Sequence, residues 1–128
     1  MIFLLINENE LSQCLLFGLN EFLKNDNLEI KELKVEIKDQ LLIKAKAYYN
    51  QQLITISASC ILDYYNQELV IREIEGIIEY LFFKFSIISL LKQHFKDLKI
   101  INNNLYIPCL LQIESIEYKD GYVDIKIA

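Results

Sequence analysis

The stretch LEIKELKVEIKDQLLIKAKAYYNQQLITISASCILDYYNQELVIREIEGIIEY, residues 28–80, decides the fold. Apolar and polar residues alternate through it, with polar breaks at Lys38-Asp39-Gln40, Asn50-Gln51-Gln52 and Asn66-Gln67-Glu68. A period of two between polar turns is the pattern of long antiparallel strands with one buried face. Four strands are expected, near 28–38, 41–49, 53–65 and 69–80. Leu33, Val35 and Ile37 form the inward row of the first, and Leu41, Ile43, Ala45, Ala47 and Tyr49 that of the second. Ile54, Ile56, Ala58, Cys60, Leu62 and Tyr64 form the third. A slip of one residue would turn a whole row to water, so the rows constrain the register. Short turns then set Tyr49 opposite Ile54, Ala45 opposite Ala58, Cys60 opposite Ile74, Ala58 opposite Gly76 and Ile56 opposite Ile78.

That register gathers Ala45, Ala47, Ala58 and Gly76 into a patch of small side chains and turns one charge, Arg72, inward. The patch has two readings. In one, it lets a helix lie close to the sheet, and Arg72 is a rim residue whose stem covers apolar surface. In the other, it is the floor of a furrow for an acyl chain. Ala45, Ala47, Ile56, Ala58, Ile74, Gly76, Leu91 and Phe95 are then the walls, and the Arg72 guanidinium meets an anionic headgroup at the mouth.

Upstream, Asn7 or Asn9 caps a first helix, with Glu8 and Glu10 favourable in its first turn. Leu11, Leu15, Leu19 and Phe22, joined by Leu16 and Leu23, carry it to about Lys24, and Asn25-Asp26-Asn27 ends it. Gly18 inside it costs about 1 kcal/mol against alanine, which points to close packing of another backbone. Downstream, the period turns helical from Phe82 to about Asp97, with Ile88, Leu91, Phe95 and Leu98 on one stripe. Phe82, Phe83, Phe85 and Ile87 make its start apolar nearly all round, so that half is expected to be buried. Asn102-Asn103-Asn104 is a turn and Leu105-Tyr106-Ile107 a short extended piece. The last strands, 110–118 and 122–128, join through Lys119-Asp120-Gly121, a strong hairpin signal that pairs Tyr118 with Val123 and Ile116 with Ile125.

A chain of 128 residues suits one domain, 1–128. Hydrophobic residues make up 53% and the mean hydropathy is +0.21, so either the core is unusually large or some apolar surface is kept for a ligand, a partner or a membrane face. The net charge of -5 argues against nucleic acid and against simple electrostatic attachment to anionic lipid. Cys14, Cys60 and Cys109 are an odd, widely spaced set without the spacing of a zinc site, and read as buried thiols of a reducing compartment. Met1 to Ile6 is too short for a signal sequence or span. Glu79, Lys84, Ser86 and Ser89 interrupt the apolar run from Ile77 to Leu91. The expected location is cytoplasmic, compatible with peripheral membrane association.

Catalytic equipment is missing. His94 is the single histidine and reads as a surface residue. Gly18, Gly76 and Gly121 are isolated, which excludes a phosphate-cradling loop or dinucleotide fingerprint, and no Gly-x-Ser-x-Gly elbow occurs. Glu73, Glu75 and Glu79 alternate on one strand beside Arg72 and read as a solvated outer face. No enzyme activity, metal or cofactor is expected.

Several segments resemble those of a known bacterial group. Ile6-Asn7-Glu8-Asn9-Glu10-Leu11, Leu33-Lys34-Val35-Glu36-Ile37 and the run from Ile113 to Ile125 through Lys119-Asp120-Gly121 are similar to the opening helix, first strand and closing hairpin of tubular lipid-binding (TULIP-like) domains of Gram-positive cell-envelope proteins. The resemblance is one of pattern and spans nearly the whole chain. It implies a highly curved antiparallel sheet wrapped round a long helix, with an elongated apolar cavity for lipid tails.

The expected fold is therefore α+β, a highly curved antiparallel meander wrapped around a long helix, with a second, N-terminal helix. The leading function is non-enzymatic binding of an apolar ligand, a lipid or acyl chain. The alternative is a structural or assembly protein whose surplus apolar surface forms a partner interface or a homodimer. A hot-dog-type enzyme using Asn20 or Glu21 on the first helix comes third.

Overall fold

Along residues 28–80 the alternation becomes four antiparallel strands in a computed structural model, which describes residues 2–128 apart from the His94 side chain. The reading of His94 as a surface residue, and the Met1 end of the first apolar run, lie outside the described residues. In chain order the elements are β1 (Ile2–Asn7), α1 (Glu8–Leu23), β2 (Leu28–Ile37), β3 (Leu41–Tyr49), β4 (Gln52–Tyr65) and β5 (Glu68–Tyr80). β6 (Phe83–Ser86), α2 (Ile87–His94), β7 (Lys99–Ile101), β8 (Asn104–Pro108), β9 (Ile113–Lys119) and β10 (Tyr122–Ile127) follow. The larger sheet has the order β2-β3-β4-β5-β8-β7, with β6 also paired to β5; the smaller has the order β1-β10-β9.

This architecture corrects the expected one. The chain is mostly β, built as two sheets, and no long helix lies inside either. The helix expected over 82–97 is the four residues of β6 followed by the eight of α2. Phe83-Lys84-Phe85 alternates with a period of two and is rich in strand formers, so it folds back on β5, with Tyr80 opposite Phe83 and Ile78 opposite Phe85. The Ser86 side chain then accepts from the Ser89 N–H and starts α2. The apolar start expected to be buried is exposed, and Phe82 is 100% accessible. Ile2–Asn7, too short to span a membrane, is a strand paired with β10.

The expected register holds in part. Ala58 faces Gly76, Ile56 faces Ile78, Tyr118 faces Val123 and Ile116 faces Ile125. Between β3 and β4 the pairing is displaced by two residues, so Ala45 faces Ile56 and Tyr49 faces Gln52. Asn50 and Gln51, both at positive φ, form a tighter turn than the three-residue break suggested. A displacement of two leaves every side chain on its expected face.

Beyond Ala58 a β-bulge changes the faces. Pairing steps from Ser59↔Glu75 to Ile61↔Arg72, which leaves Cys60 opposite both Glu73 and Ile74. Glu73 has a φ of 54°. Its N–H donates to Asn104 Oδ1 at 3.0 Å, and the Ile74 N–H donates to the Asn103 carbonyl at 2.9 Å. The β7–β8 turn thus supplies the partners that the bulge removes from the ladder.

The outer edge of β2 is closed by α1 instead of a strand. The Asn7 side chain and Glu10 form a capping box that starts the helix. Glu8 Oε2 accepts from the Ile37 N–H at 2.8 Å, and Ser12 Oγ accepts from the Val35 N–H at 2.9 Å. Asn20 accepts from the Ile30 N–H at 2.8 Å and donates to the Ile30 carbonyl at 3.0 Å. Four helical residues advance about 6 Å, close to the roughly 6.6 Å of two strand residues, so side chains on one helix stripe meet successive outward groups of the strand. Asn20 is thereby occupied as an edge cap, while Glu21 is exposed and paired with Lys24 at 3.7 Å.

One core lies between the two sheets, where Val35, Ile37, Leu41, Cys60, Ile74, Val123 and Ile125 are buried against one another. A second lies under the C-terminal half of α1, formed by Ile30, Ala45, Ala47 and Ile54 with Leu16 and Leu23. Replacing Ser12 by Ala orphans the buried Val35 N–H and should destabilise the protein by about 1–3 kcal/mol, read as a lower urea midpoint with an unchanged m-value. Gly76→Ala should cost a similar amount from overpacking, about 1–3 kcal/mol, because a Cβ there would stand 2.6 Å from both Ile87 Cδ1 and the Ser57 carbonyl oxygen.

Candidate functional site

The small-residue patch is one contiguous surface. Ala45, Ile56 and Ile78 form one cross-strand row, and Ile43, Ala58 and Gly76 form the next. Side chains of both helices cover it. Ala45 and Ala47 are buried in the cluster beneath Leu16 and Leu23, Ala47 at 0% exposure, and Ile87 of α2 fills the space above Gly76. Ile56, Ala58, Leu91 and Phe95 are half-buried. The Phe95 ring stacks on Phe22 with centroids 5.2 Å apart, joining the C-terminal ends of the two helices. Ile74 lies apart, in the core between the sheets.

Arg72 does not point inward. The bulge sets it opposite Ile61, on the face away from Cys60 and Leu62, where Asp63 also lies. Its Nε is 3.1 Å from Asp63 Oδ2, an ion-pair separation whose angle falls short of a hydrogen bond. Both side chains are more than a third exposed, so the pair adds little stability.

The surface that stands out chemically is at the other end of the long strands. The turns β3–β4 and β5–β6 lie side by side, because Ile54 pairs with Tyr80 and Tyr80 with Phe83. Tyr48, Tyr49, Leu53, Leu81, Phe82 and Phe83 are all exposed there. Tyr49 meets Tyr80 edge-on with centroids 6.0 Å apart, and Phe83 lies 6.3 Å from Phe85. Leu81 has a φ of 58°, a conformation that favours glycine or asparagine, yet a large apolar side chain occupies it. Strain and full apolar exposure at one hairpin tip are both unfavourable to the isolated fold, a combination typical of working surfaces. The sequence signal was available: Leu81-Phe82 separates two alternating runs, Ile74 to Tyr80 and Phe83 to Ser86, as a turn does.

Two open grooves have other characters. One of about 710 Å³ is lined by Lys24, Asn27, Leu28, Glu29, Lys31, Tyr48, Asn50 and Gln51. Another of about 670 Å³ lies over the bulge among Gln40, Ser59, Glu73, Glu75, Lys92 and Asn102 to Asn104. Glu73 and Glu75 are exposed, and among the described residues no acidic, histidine or cysteine group is arranged to hold a metal ion.

Two titratable side chains are set by burial. Desolvation lifts the Cys60 thiol from 9.0 to about 11. Tyr118 is lifted from 10.0 to about 12, again chiefly by burial. Its hydroxyl accepts from the Leu62 N–H and donates to the Leu62 carbonyl at 2.7 Å. Leu62 belongs to the part of β4 that runs past the end of β3, so a phenol caps an edge that no strand covers. Comparison with family models, curated proteins and solved structures finds no match to this chain.

Both groups are neutral in the fold and ionise more readily when unfolded. Their contribution to stability is complete below the unfolded values and is lost as pH rises through the folded ones. The unfolding free energy should therefore fall from pH 9.0 to about 11 through Cys60 and from 10.0 to about 12 through Tyr118. In urea titrations across that range, Cys60→Ala should remove the first fall and Tyr118→Phe the second. Iodoacetamide at neutral pH should label exposed Cys14 readily and Cys60 only after denaturation.

Proposed function

We propose that this protein is a non-enzymatic module that attaches to lipid through the aromatic end of its larger sheet. The observation that carries the reading is the pair of adjacent hairpin tips presenting Tyr48, Tyr49, Leu53, Leu81, Phe82 and Phe83 to solvent. Their shape selects the partner. A side chain as free as Phe82, standing on a protruding turn, can be covered on every side only by a medium that flows round it or by a matching cavity. The hydrocarbon and headgroup boundary of a bilayer is such a medium, and tyrosine and phenylalanine at that depth bury their rings while the phenol stays wet.

The charge pattern supports apolar insertion over electrostatic adsorption. The chain carries -5 overall, and Lys84 near the tip is partnered by Glu79 at 3.9 Å. The attachment proposed is peripheral, through the hairpin tips; no helix among the described residues is long and apolar enough to cross a membrane.

The chain has no tryptophan, so Phe82→Trp gives a single reporter. Its emission should shift to the blue on addition of uncharged phosphatidylcholine vesicles, and high salt should not reverse the shift. Phe82→Asp or Phe83→Asp should weaken co-sedimentation with these vesicles by roughly ten-fold or more, the effect of losing one buried aromatic ring. Leu81→Gly should stabilise the fold by about 1 kcal/mol by relieving the positive φ while weakening vesicle binding. Wild-type protein that leaves such vesicles in the supernatant, with no shift at position 82, overturns the reading.

A further inference from the structure

Among the described residues, nearly every strand edge is covered, short or charged, and that of β1 is not. The outer edge of β2 is closed by Glu8, Ser12 and Asn20, and the overhang of β4 by Tyr118. At the far side of the larger sheet, β7 is three residues long and carries Lys99. β1 stands at the end of the smaller sheet with β10 on one side and no strand on the other. It carries no charge from Ile2 to Ile6, no proline and no bulge, the devices that keep edges apart. Phe3 and Leu5 on the outer face are 61% and 59% exposed, and Ile2 at the end of the inner face is 62% exposed, while Ile6 packs on the core.

We propose that β1 pairs antiparallel with β1 of a second copy, joining two small sheets into one continuous six-stranded sheet. A two-fold axis perpendicular to the sheet is the only symmetry that makes this pairing, and it requires partners of the same face. The register that uses the whole strand sets Leu4 opposite its own copy, Phe3 opposite Leu5, and Ile2 opposite Ile6. Every pair in that register is apolar on both sides. Lys126 lies beside Phe3, with its Nζ 5.7 Å from the ring, and Asp124 lies beside Leu5. Each outer-face row across the junction therefore reads Lys126, Phe3, Leu5, Asp124, so the charges stand back from the seam and no like charges meet across it. The reversed row on the other side of the axis is identical, so a second copy supplies a strand that matches this one at every position. The interface is at the small end of the range for specific association, so the dimer should dissociate on dilution.

Sedimentation velocity on the full chain over a dilution series tests this. The expected result is a reversible species of twice the 15.1 kDa chain mass. Leu5→Lys and Phe3→Glu, both on the exposed outer face, should each sediment as folded monomers with wild-type circular dichroism. Mixing the two single variants should restore a heterodimer, because Glu at position 3 then faces Lys at position 5. A wild-type chain that stays monomeric at high concentration overturns the proposal. So does a dimer that survives both substitutions, or a mixture that remains monomeric. If one variant fails to fold, the other still reads the loss of self-association.

Discussion

The hydrogen bonds from Glu8, Ser12 and Asn20 to the outer edge of β2 are the constraint on which the rest of the structure depends. They fix the rotation of α1 about its axis, since polar groups spaced by multiples of four residues must all face the strand. With that stripe fixed, Leu11 and Leu15 reach the core between the sheets, and Leu16 and Leu23 reach the alanine-floored cluster. The position of the small sheet follows as well. Asn7 ends β1 and caps α1, the Glu8 N–H donates to the Gly121 carbonyl at 3.2 Å, and the Gly121 N–H donates to the Ile37 carbonyl at 2.9 Å. Gly121 has a φ of +90°, which a side chain would strain, and it binds the ends of β2 and β10 to the start of the helix at one point.

The bulge at Glu73 divides the long strands into two ends with different neighbours. On one side of it β5 pairs with β8, and on the other with β6. β4 runs from the aromatic turns, where Leu53 stands, to Leu62, where Tyr118 of the small sheet docks. Those points are roughly 30 Å apart along a strand. The aromatic tips and the docking point of the small sheet therefore lie toward opposite ends of β4.

Much of this was legible from residues 28–80, because alternation fixes which face each side chain takes even when the pairing moves by two. The Asn7 cap, the closing hairpin and the pairing of Ala58 with Gly76 were legible for similar local reasons. Three features were not. The bulge is invisible to a parity argument, since Glu73 looks like any outward residue, and its partners lie in an asparagine turn 30 positions on; it reversed the direction of Arg72. The segment from Phe82 reads as helix because its apolar residues satisfy both periods, and only the hairpin with β5 selects the extended one. The edge-capping stripe was hidden because Ser12 and Asn20 read as ordinary polar interruptions of an amphipathic helix. Of the residues expected to line a furrow, most do share a surface, and there the Leu16, Leu23 and Ile87 side chains of the two helices lie over the alanines and Gly76.

The pairing of β1 with β10 sets Ile2 against Ile127, so the first and last strands of the described chain lie side by side. Closing so long a loop carries a large entropic cost that contacts within the meander do not. The opening strand therefore gains its partner only once the β9–β10 hairpin exists, whereas each strand of the meander pairs with its neighbour in sequence.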